Sequence, residues 1–247
     1  MSYALDFYSL SWDALKTALT ERKPELARAV AERQWERLIE GDARGLASDR
    51  DDDGISLGEA DLLFEDALEE IAEAMAANQA PGLDPPDVSD NAALVFAAFV
   101  RHLGTPVGRI AADEATAHDP ELQLAFRAAL LDGIVGARYG DLQLGEKLAA
   151  RPLFGLFHLD FLAWGGLAQT ELRELAAKYK LTDATRRGVD RQAVADHAGV
   201  WLAEIIKALG TAANANRDLV TLYFTSPYHE TLSEKIHDAF HDELVED

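Results

Sequence analysis

The sequence predicts a predominantly helical α+β domain in which helices pack around a small sheet. Three observations predict it: strand-like alternation at the N-terminus, a β-branched and aromatic run at 218–224, and a series of capped segments at helical spacing between them.

In the first nine residues Tyr3, Leu5 and Phe7 fall on one side and Ala4, Asp6 and Tyr8 on the other, the period-two pattern of a half-buried strand over about 2–9. Ser11 can cap a short helix over 12–20. Lys23-Pro24-Glu25 opens a longer one through Leu26, Val30, Trp35 and Leu38 to Gly41.

After an acidic loop over 42–55, Ser56 and Glu59 form a capping box ahead of Leu63, Phe64, Leu68, Ile71 and Met75. The breaker-rich stretch from Ala80 to Asp87 is a stiff surface connection. The chain reads as a single domain over 1–247, with any division into lobes falling near 80–90.

Helices follow at 91–103, stopped by Gly104, and at 120–138, where Asp119 caps and Pro120 takes the first turn. The aromatic stretch from Arg151 to Gly166 is too interrupted by Gly and Pro for a regular helix, and reads as irregular buried chain or a pocket wall. Helices at 170–179 and 191–209 lead to the strand Asp218-Leu219-Val220-Thr221-Leu222-Tyr223-Phe224. Pairing of this strand with the N-terminal one gives a sheet of two or so strands. An acidic C-terminal helix closes the chain over 229–247, and Trp12, Trp35, Trp164 and Trp201 are expected in the core.

Composition narrows the function classes. The 247 residues are 48% hydrophobic, enough for a sizeable core, yet no run approaches the roughly 18 uncharged apolar residues of a membrane span. The start lacks the basic-then-apolar order of a secretory signal, so a cytoplasmic location is expected. With no cysteine, disulfides, thiolate nucleophiles and cysteine-ligated metals are excluded, leaving His, Asp and Glu as ligands.

The formal charge is -21, from 44 acidic and 23 basic residues. It is regional: residues 42–90 hold 15 acids against Arg44 and Arg50, and 229–247 adds a net -6. Such a surface repels nucleic acid and anionic membrane and favours a basic protein or a cation as partner.

Three local patterns carry candidate chemistry. The loop from Asp49 to Glu59 resembles a calcium loop, with Asp49, Asp51, Asp53 and Glu59 as oxygen donors and Gly54 at the sharp turn. Ile55 and Glu59 each come one residue early, and Ala60 occupies the place of the bidentate Glu. Glu59 also serves the capping box, so calcium as a cofactor and a solvated acidic loop both remain open. His237 and His241 stand one helical turn apart, as in zinc peptidases, with Asp238 where the general base Glu would be. His158 and Asp160 flank Leu159 and are a candidate acid–base pair or a pair of satisfied core groups. No Walker loop, dinucleotide fingerprint or serine-hydrolase elbow is present, so the catalytic residues are unassigned and an enzymatic role has little support.

The opening MSYALDFYSLSWDAL, the stretch VFAAFVRHLG, the segment RPLFGLFHLDFLAWGGLAQTELRELA and the strand RDLVTLYF together resemble a family of uncharacterised bacterial proteins. Arg151, Pro152, Asp160, Gly165, Thr170 and Glu171 match its third segment, whose further prolines and second acid are absent here. The resemblance spans most of 1–224 and implies a bacterial cytoplasmic domain with no established activity. The expectation is therefore an acidic binding or regulatory protein, an immunity-type inhibitor being one form. The alternatives are a calcium module at 49–59 and a metal-dependent hydrolase using His237 and His241.

Overall fold

The alternation of Tyr3, Leu5 and Phe7 with Ala4, Asp6 and Tyr8 is realised as β1 (Ser2–Leu10), a central strand with apolar residues on both faces. The computed structural model describes residues 2–31, 57–77, 88–113, 116, 119–131, 162–179 and 196–225. Within them the protein is α+β and predominantly helical, with a four-stranded sheet.

The remaining strands are β2 (Thr105–Asp113), β3 (Leu162–Leu167) and β4 (Asp218–Thr225). The helices are α1 (Trp12–Glu21), α2 (Pro24–Val30), α3 (Leu57–Ala77), α4 (Asp90–Leu103), α5 (Pro120–Leu131), α6 (Gln169–Tyr179) and α7 (Asp196–Ala215).

The sheet runs β2-β1-β4-β3, with every neighbouring pair antiparallel. β1 and β4 pair from Tyr3↔Thr225 to Leu10↔Asp218, the pairing that the alternation predicts. The sheet has four strands rather than two. The segment read as irregular contains a strand, β3, whose Gly166 lies so close to β4 that a Cβ there would collide with the Leu219 carbonyl oxygen. Glycine is thus what lets β3 pair, although in the sequence it looks like a breaker.

Helices cover both faces of the sheet. On one, Leu10, Trp164, Val220 and Leu222 pack with Trp12, Leu15 and Leu19 of α1, Val30 of α2, Phe64, Leu68 and Ile71 of α3, and Phe96, Phe99 and Val100 of α4. α4 is buried continuously from Val95 to Val100 because it is sandwiched between other elements, and Phe96 stacks on Trp164 at 4.3 Å. On the other, Leu5, Phe7, Ile110, Leu219 and Tyr223 meet Phe126 of α5, Leu172 and Leu175 of α6, and Trp201, Leu202, Ile205 and Leu209 of α7.

Caps fix where several helices begin. Ser11 accepts from the Ala14 N–H, Ser89 from that of Ala92, and Asp119 from those of Glu121 and Leu122. β1 and β3 flank β4 and run the same way, so α1 and α6 start side by side at the beginning of β4. There Asp218 accepts the Trp12 N–H with Oδ2 at 2.7 Å and the Gln169 N–H with Oδ1 at 2.6 Å. One carboxylate thereby satisfies an otherwise orphaned donor in each of two helices.

Candidate functional site

β2 is an edge strand, and its sequence makes it irregular. The register shifts between Phe7, opposite Gly108, and Tyr8, opposite Pro106, leaving Val107 as the extra residue of a bulge. Proline cannot donate to a ladder, and the bulge bends the strand, so the edge is poorly suited to pairing with another chain.

The bulge borders an open hollow of about 630 Å³ lined by Asp6, Tyr8, Pro106, Val107, Gly108, Arg109, Glu204 and Lys207. α7 approaches the strand closely here: a Cβ on Gly108 would lie 3.3 Å from Glu204 Oε2. The lack of a side chain at 108 therefore helps set the distance between the strand and the helix that form the walls.

Asp6 is the one charged residue buried among the described residues, at 8% exposure. It sits opposite Arg109, whose Nε is 3.3 Å from Oδ1, and an Arg101 terminal nitrogen reaches within 4.0 Å of Oδ2 from α4. Burial raises the Asp6 pKa, and Arg109 and then Arg101 pull it back. Burial, and then the negative charge of Asp6, raise the Tyr8 pKa, against the Arg101 guanidinium, which donates to its hydroxyl oxygen. On the facing wall Lys207 Nζ lies 3.1 Å from Glu204 Oε2. Chemically, the arrangement offers charged hydrogen-bonding groups at fixed positions.

A second feature is the outer face of α3, where Glu65, Asp66, Glu69 and Glu73 are exposed. Arg22 meets Glu69 at 3.1 Å, while Glu70 receives the Ser89 N–H and hydroxyl and ties α3 to the start of α4.

Of the residues that the sequence singled out, Asp49, Asp51, Asp53, His158, Asp160, His237 and His241 lie outside the described residues. Glu59 falls in the first turn of α3. Thr170 and Glu171 open α6, where Glu171 accepts the Ala168 N–H. Trp12, Trp164 and Trp201 are core residues as expected. Among the described residues no group of three or more His, Asp or Glu could hold a metal ion. No described helix is long and apolar enough to cross a membrane.

The hollow was not anticipated from the sequence. Its one sequence signal is Asp6, the one charged residue in the strand Ser2–Leu10. Arg101, Arg109, Glu204 and Lys207 come from segments distant in sequence, which only the sheet order brings together. No protein-family model matches the chain, and no curated protein or solved structure is detectably similar to it.

Proposed function

We propose that this is a binding or regulatory protein that engages a basic partner through the acidic face formed around α3, in the manner of an immunity-type inhibitor. The observation that carries the proposal is the row Glu65, Glu69 and Glu73, exposed at successive turns of one helix with Asp66 beside it. Like charges four residues apart weaken a helix, so although Glu69 pairs with Arg22 at 3.1 Å, helix stability does not account for the row as a whole. Each exposed carboxylate contributes little to stability, whereas an aligned set accelerates and orients association with a cationic surface. The surrounding sequence extends the same sign of charge, with 15 acids over 42–90.

Affinity capture from cell extract at low and at high salt, with the wild type and with Glu65→Lys, Glu69→Lys and Glu73→Lys combined, tests this. The wild type should retain a basic protein at low salt and release it at high salt, and the triple variant should not retain it. Capture of the same protein by both forms, or of none by either, would refute the proposal.

A further inference from the structure

We draw no further inference here: the strongest candidate, the open hollow between β1, β2 and α7, is lined by two cations, Arg109 and Lys207, that are already paired with the carboxylates of Asp6 and Glu204, so nothing in its walls selects a ligand.

Discussion

Two aspartates on the paired central strands are used in opposite ways. Asp218, the first residue of β4, directs its two oxygens to two backbone N–H groups, at 2.7 and 2.6 Å, where α1 and α6 begin. Asp6, in the middle of β1, is more deeply buried and faces side-chain cations at 3.3 and 4.0 Å beside an open hollow. The first arrangement is short, fixed by backbone and locally complete, as a structural joint requires. The second is longer and made between side chains from three elements, at the margin of an open hollow. The contrast teaches that a carboxylate's role is read from what its oxygens meet, since burial alone would rank Asp6 as the more structural.

The largest effect should come from the joint. Asp218→Ala removes one cap from each of two helices, and at about 1–2 kcal/mol per cap the loss should be about 2–4 kcal/mol in urea unfolding. Asp218→Asn keeps an acceptor for one helix and turns a donor toward the other, so about half that loss is expected. A loss below about 0.5 kcal/mol for the alanine variant would mean that water replaces the carboxylate freely, and the contrast with Asp6 would collapse.

The joint also shows how far the sequence could be read. The strand pair β1–β4 was legible because both segments advertise it, one by alternation and the other by its β-branched and aromatic run. Asp119 and Pro120 marked the start of α5, and Ser11 that of α1, because caps act locally. β2 and β3 were not legible. Pro106, Gly108 and the Val107 bulge break the alternation of one, and Gly165-Gly166 resemble a turn in the other. Those residues answer to neighbours distant in sequence, the Leu219 carbonyl for Gly166 and Glu204 for Gly108. The hollow was hidden for the same reason. Asp6 and Arg109 meet only because β2 lies beside β1, and Glu204 and Lys207 join them only because α7 crosses that edge.

Thr221 sharpens the comparison, because it is a buried polar group on the same strand pair with a hydroxyl that finds no partner among the described residues. It pairs with Phe7, next to Asp6, and lies three residues after Asp218. A buried hydroxyl without a hydrogen bond has lost its water and gained nothing in return. Thr221→Val, nearly identical in shape, should therefore stabilise the protein by about 1 kcal/mol in urea unfolding. Destabilisation would show that the hydroxyl is satisfied in solution, by a trapped water for example, and that β4 carries a second polar joint.

The smallest effect, and the one that separates the two aspartates most directly, is the pH dependence that Asp6 adds. Its pKa is raised above the ordinary value of 3.8, with burial outweighing Arg109 and Arg101. The native state then takes up this proton at a higher pH than the unfolded chain does. The stabilisation linked to that proton is fully present below 3.8 and is lost as pH rises through the raised folded value. Asp6→Asn cannot take up the proton. Urea unfolding of both forms from neutral pH down to about 4 should therefore show the wild type gaining on the variant as pH falls, the other carboxylates cancelling in the difference. The opposite slope would mean that the arginines outweigh burial and that the ion pairs hold the strand as Asp218 holds the helices. Asp6 would then be a second joint, and the hollow would lose the feature that most distinguishes it.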